Sequence, residues 1–160
     1  MKLLYYLVFV VFLFSCEKQK YTSGTISIVK NELATVQDYV NLFPNKVVYV
    51  DVWASWCGPC LREMSASKEL KHYFKEKNIV FIYLSIDKNK KRWKGTIEAK
   101  NIAGNHILSN KKLLNDLENN YQLEGIPRYF IFSKSGELVD KNAPRPSDWD
   151  IKSVLEKQLK

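Results

Sequence analysis

Val47-Val48-Tyr49-Val50-Asp51-Val52-Trp53-Ala54-Ser55-Trp56-Cys57-Gly58-Pro59-Cys60 is the stretch from which the rest of the chain is read. Its first seven residues are β-branched, aromatic or apolar apart from Asp51, the pattern of a strand covered on both faces. The residues after Cys60 carry apolar side chains at Leu61, Met64, Leu70, Tyr73 and Phe74, a helical set, so a helix is expected from Gly58 to about Lys77. Two cysteines separated by two residues at a strand-to-helix junction form a redox motif, able to close a disulfide or open to a dithiol. Cys57 stands where the helix begins, facing unpaired backbone N–H groups and the positive end of the helix dipole, which favour its thiolate. Cys60 lies one turn further in. The expected division of labour makes Cys57 the attacking and Cys60 the resolving cysteine, with Gly58-Pro59 setting the turn. Cys60 needs a proton acceptor. Asp51, an acid inside an apolar strand, is one candidate, and Glu63, three residues beyond Cys60 on the same helical face, is the other.

Outward from this stretch the chain alternates. A short strand is expected at Thr25–Val29, a helix over 33–43, a second buried strand at Ile79–Ile86, a basic, loosely helical segment over 90–103 broken by Gly104-Asn105, and an amphipathic helix over 110–121. Arg128–Phe132 and Glu137–Val139 flank Ser133-Lys134-Ser135-Gly136 and read as a hairpin. Ser147 is expected to cap a final helix striped by Trp149, Ile151, Val154, Leu155 and Leu159. The order β-α-β-α-β-α-(short strand)-α-β-β-α implies one α/β domain over residues 25–160, a mixed sheet with helices on both faces.

Residues 1–15 read as a signal peptide, with Met1-Lys2 followed by an apolar run from Leu3 to Phe14 that is short for a membrane span. Leu13-Phe14-Ser15-Cys16 resembles a bacterial lipobox, with Phe14 in place of the usual small residue. That resemblance implies lipidation at Cys16, a tether over 16–24, and a domain held at the cell envelope, facing the periplasm of a Gram-negative type of cell. Disulfides are the default state there. The net charge of +8 raises the question of nucleic acid, yet its one dense basic cluster, Lys88, Lys90, Lys91, Arg92 and Lys94, carries no nucleic-acid motif. It reads as a solvated face, or a surface for an anionic membrane or partner. A zinc site is not expected, because one cysteine pair with the unpaired His72 and His106 falls short of four ligands.

Val50–Cys60 resembles the active-site stretch of the thioredoxin family. Gly125-Ile126-Pro127 followed by Arg128–Phe132 resembles that family's cis-proline loop, which lies against the disulfide. The resemblance implies a thioredoxin fold, here with an extra N-terminal strand and a helical insertion around 88–108. It also implies a redox-active Cys57–Cys60 disulfide that works without a cofactor. Trp56, Gly58 and Pro59, with Ile126 and Pro127, form the surface offered to an extended substrate strand. The secreted origin, the insertion and Cys-x-x-Cys-x-x-Glu are similar to the TlpA/ResA-like branch of membrane-tethered thiol–disulfide oxidoreductases. Within it the glutamate at the position of Glu63 handles protons, while thioredoxin itself carries an acid at the position of Asp51. That branch implies protein disulfides as substrates, the haem-binding cysteines of apocytochrome c among them, and a membrane electron donor. A reductase is the direction favoured over an oxidase or isomerase. Two positions depart from the pattern: Arg128 stands after the cis-proline position, suited to acidic substrates or to an ion pair, and Ser65 replaces a frequent proline. The Thr-x-x-Cys of peroxiredoxins is absent, and the intact pair argues against a non-catalytic binding module.

Overall fold

The computed structural model of the chain describes residues 25–30 and 32–160. The signal peptide, Cys16 and the tether lie outside the described residues. The elements run β1 (Ile26–Ile28), α1 (Val36–Val40), β2 (Val47–Trp53), α2 (Gly58–Tyr73), β3 (Ile79–Ser85), α3 (Lys90–Lys100), β4 (Gly104–Leu108), α4 (Lys111–Asn119), β5 (Arg128–Phe132), β6 (Leu138–Asp140) and α5 (Ile151–Leu159). The strands form one sheet in the order β1-β4-β3-β2-β5-β6. β1 to β4 run parallel to one another, β5 pairs antiparallel with β2, and β6 pairs antiparallel with β5. This is the thioredoxin fold, with β1, α3 and β4 as its additions.

β2 holds the centre, and all seven of its residues are buried. Because side chains alternate across a strand, Val48, Val50 and Val52 face one layer, where Val36, Tyr39 and Val40 of α1 and Leu113 and Leu117 of α4 pack on them. Tyr49 and Trp53 face the other, with Met64 and Leu70 of α2, Trp93 and Ile97 of α3, and Ile151 and Leu155 of α5. Each fully buried aliphatic or aromatic side chain in these layers contributes about 1.5–3 kcal/mol. Asp51 shares the second face, beneath α2.

Several boundaries differ from the sequence expectation. α1 is shorter than 33–43, because Thr35 and Asp38 form a capping box that starts the helix at Val36. α2 stops at Tyr73, and Phe74 leaves helical geometry to turn into the core. Gly104-Asn105 is more than a break: it opens β4, which is inserted between β1 and β3 inside the sheet, so the insertion is a helix plus a strand. Gly104 has φ of +136°, and a Cβ there would lie 2.6 Å from Cε2 of Tyr83, so the strand can start there only with glycine. Ser147 does not cap α5. The chain turns between Pro146 and Asp150, α5 begins at Ile151 after Asp150, and Trp149 is left 93% exposed instead of joining the stripe.

Candidate functional site

β2 ends at Trp53, at the carboxyl edge of the parallel strands, and the chain turns there into α2. The Cys57 N–H donates to the Ala54 carbonyl at 3.0 Å, and Leu61 N–H to the Cys57 carbonyl at 3.0 Å. Cys57 is the N-cap of α2: its sulfur accepts the Cys60 N–H at 3.2 Å, with Pro59 in the first turn, where its missing N–H costs nothing. Cys57 and Cys60 are joined by a disulfide, their Cα atoms 5.3 Å apart. Both sulfurs belong to buried residues, 4% and 1% exposed, while the neighbouring Trp56 is 55% exposed. Cys57 therefore lies just beneath the surface beside an exposed aromatic side chain, with Cys60 in the first turn of α2 behind it.

The loop before Cys57 is fastened by a residue that sequence reasoning missed. Asp87, buried just beyond β3, accepts from Ser55 N–H at 2.8 Å, from Ser55 Oγ at 2.7 Å and from Ser85 Oγ at 2.8 Å. One carboxylate thereby joins the loops after β2 and β3. The only sequence trace of it is an acid directly after a buried strand.

The two candidate acids are in different situations. Asp51 is 2% exposed and neither of its carboxyl oxygens has a hydrogen-bond partner. Burial, and then the nearby negative charge of Glu63, pushes its carboxyl well above the usual carboxylate range. Its cross-strand neighbours are Tyr83 on β3 and Tyr129 on β5. The Tyr83 and Ser67 hydroxyls share a hydrogen bond of 2.7 Å, whereas the Tyr129 hydroxyl is buried without a partner. Glu63, half-buried on α2, accepts from Ser147 N–H at 3.1 Å and Ser147 Oγ at 3.0 Å. Ser147 is thus a ligand of Glu63 and not a helix cap. Asp51 and Glu63 interact electrostatically on the α2 side of the sheet, so both expected acids converge on the layer that holds Cys60.

The Ile126–Pro127 peptide bond is cis. Arg128, the first residue of β5, pairs with Val52, so Pro127 stands at the same end of the sheet as Trp53 and the loop to Cys57. Arg128 sends Nη1 to the Lys141 carbonyl at 3.4 Å, and among the described residues it takes no carboxylate partner. The two histidines are far from any shared site: His72 is exposed on α2, and His106 is fully buried on β4, with Nε2 2.6 Å from the Ile102 carbonyl.

A family model described as thioredoxin-like matches residues 45–138. ResA of Bacillus cereus, a thiol–disulfide oxidoreductase, is 26% identical over 115 residues, which cover 70% of this chain and 63% of ResA. The chain spans less than two thirds of the length of such curated relatives. Among solved structures, a candidate thiol–disulfide oxidoreductase from Bacteroides vulgatus is 32% identical with a TM-score of 0.67, covering 73% of this chain and 81% of that one. The thioredoxin domain of a Bacteroides vulgatus thiol–disulfide oxidoreductase is 27% identical with a TM-score of 0.67, covering 75% and 84%. With more than half of its length inside the family match, and with the sheet order and proline loop to go with it, this chain belongs to the thioredoxin-like family.

Proposed function

We propose that the chain is a thiol–disulfide oxidoreductase that reduces protein disulfides outside the cytoplasm, tethered through a lipid on Cys16. The observation that carries the reading is the Cys57–Cys60 disulfide at the capped start of α2, opening beside an exposed tryptophan. In the dithiol form the Cys57 thiolate attacks one sulfur of the substrate disulfide. A mixed disulfide forms, and the other substrate sulfur leaves as a thiolate and is protonated. Cys60 then gives up its proton and attacks the Cys57 sulfur. The Cys57–Cys60 disulfide closes and the second substrate thiol departs, so two electrons pass from the pair to the substrate. A dithiol donor at the membrane restores the pair by the reverse exchange.

Asp51 is the acceptor we favour for the Cys60 proton. Its oxygens have no other partner, and a carboxyl raised toward the working pH both takes and returns a proton efficiently. Glu63, held by Ser147, sets the field that Asp51 feels. Trp56 and the Ile126-Pro127 edge receive the substrate strand, and apocytochrome c is a substrate to test first.

The prereduced protein is expected to reduce insulin with one Cys57–Cys60 disulfide formed per substrate disulfide lost; no reduction sinks the reading. A potential nearer about −270 mV, as in thioredoxin, than the about −120 mV of a strong oxidant is expected for a reductase. Cys16→Ala is expected to move the domain from the membrane fraction to the soluble one, and retention at the membrane refutes the lipid anchor.

A further inference from the structure

Lys88, Lys90, Lys91, Arg92 and Lys94 are all exposed, and among the described residues none makes an ion pair or a side-chain hydrogen bond. Three of them occupy the first turn of α3, which contains no acid. Cations at a helix N-terminus oppose the dipole and lower stability, so folding does not account for them. Their position is fixed by three observations. Lys68 on α2 donates to the Lys100 carbonyl at 2.7 Å, and Lys71 donates to the Ala103 carbonyl, so α3 lies alongside α2 within a lysine side chain's reach. Lys68 lies ten residues beyond Gly58 and Lys100 ten beyond Lys90, a rise of about 15 Å in each helix, so the two helices start level. Asp87, the residue before Lys88, is bonded to Ser55, two residues before Cys57. At 100° per residue the cations fan around the exposed sides of the helix start while Trp93 and Ile97 face the core. The result is a basic wall, unpaired among the described residues, at the same edge of the sheet as the disulfide.

We propose that this wall is a docking surface for acidic protein partners, whose disulfide or dithiol is bordered by aspartate and glutamate. Its occupant is a protein and not a lipid bilayer, because the same edge must admit a partner's sulfur to Cys57; this rests on the oxidoreductase reading above. A charge field next to a reactive sulfur raises the rate of productive encounter, and salt screens it.

The test is single-turnover reduction of two disulfide-bridged peptides by the prereduced protein, one flanked by aspartates and one by lysines. The acidic peptide is expected to react about tenfold faster at low ionic strength, with the difference vanishing near 0.5 M salt, roughly. The variant K88E/K90E/K91E/K94E is expected to reverse the order. It should keep its circular dichroism, since acids suit the first turn of a helix. A control, K75E/K152E/K157E/K160E, changes net charge equally just beyond the C-terminal end of α2 and along α5, which meets that end where Lys152 Nζ lies over the Tyr73 ring, and is expected to keep the preference for the acidic peptide. Equal rates for the two peptides, or a preference that follows net charge in both variants, overturns the docking proposal and leaves the oxidoreductase reading standing. Reduction of neither peptide overturns both. Loss of binding to anionic phospholipid vesicles in the first variant, with peptide rates unchanged, makes the wall a membrane surface and also overturns it.

Discussion

Asp51 is a carboxyl without a partner in a strand buried on both faces, and it therefore holds its proton where a surface acid would not. Its folded-state affinity for a proton exceeds that in the unfolded chain, so unfolding releases a proton and stability falls as pH rises above the ordinary carboxylate range. Asp51→Asn removes this loss. The variant is expected to gain on the parent by about 1.4 kcal/mol per pH unit above pH ~4, until Asp51 ionises in the folded parent. Urea midpoints taken across pH check this, and a constant difference contradicts it. The same variant is expected to lengthen the life of the mixed disulfide at neutral pH by about 10²-fold, the usual worth of a positioned base. Stopped-flow resolution of the adduct reads that rate. Asp51 was legible as an anomaly in an apolar run. That it has no partner was not, because only the folded layer shows what surrounds it.

Among the elements, the loop before α2 depends on a contact far away in sequence. Asp87→Ala leaves Ser55 N–H and two hydroxyls without their acceptor in a buried place, and is expected to cost about 3 kcal/mol in denaturant unfolding. Ser147→Ala removes one bond at a partly exposed site and is expected to cost no more than about 1 kcal/mol. If Asp87→Ala is as mild as Ser147→Ala, Asp87 does not hold the loop. Strand β2, the cysteine turn and the proline loop could be read from sequence because each carries a local signature: an apolar run, a two-residue spacing, a Gly-x-Pro before a strand. The element order anticipates a short strand between α3 and α4, but its bounds and its place in the sheet could not be read, since Gly104-Asn105-His106 is polar yet buried and β4 is defined by pairing with β1 and β3. The ties from Asp87 to Ser55 and from Glu63 to Ser147 span 32 and 84 residues and leave no periodic trace.

Across the whole molecule two buried groups pull the acid limb of stability in opposite directions. His106, enclosed between α2 and the sheet and stacked on Tyr83, is pushed down to about 4 by burial. Its folded pKa lies below its unfolded one, so its contribution is present above pH ~6.5 and is lost as pH falls toward ~4. Over that window Asp51 has the opposite slope. The parent is therefore expected to gain less stability than Asp51→Asn as pH rises through that window, where the His106 contribution alone amounts to as much as about 3 kcal/mol in the variant. A parent curve as steep as the variant's counts against this pairing. The redox pair sits above both groups, at the edge where β2 and β3 end and α2 and α3 begin. There the thiols and the exposed basic side chains at the start of α3 share one edge of the sheet. The proposed exchange depends above all on the division of roles between the two sulfurs. It is tested most directly by incubating Cys60→Ser and Cys57→Ser proteins with a disulfide substrate and mapping adducts by mass spectrometry. A lasting mixed disulfide through Cys57 is expected in the first protein and little or none through Cys60 in the second. Equal adducts in both, or none in either, contradicts it.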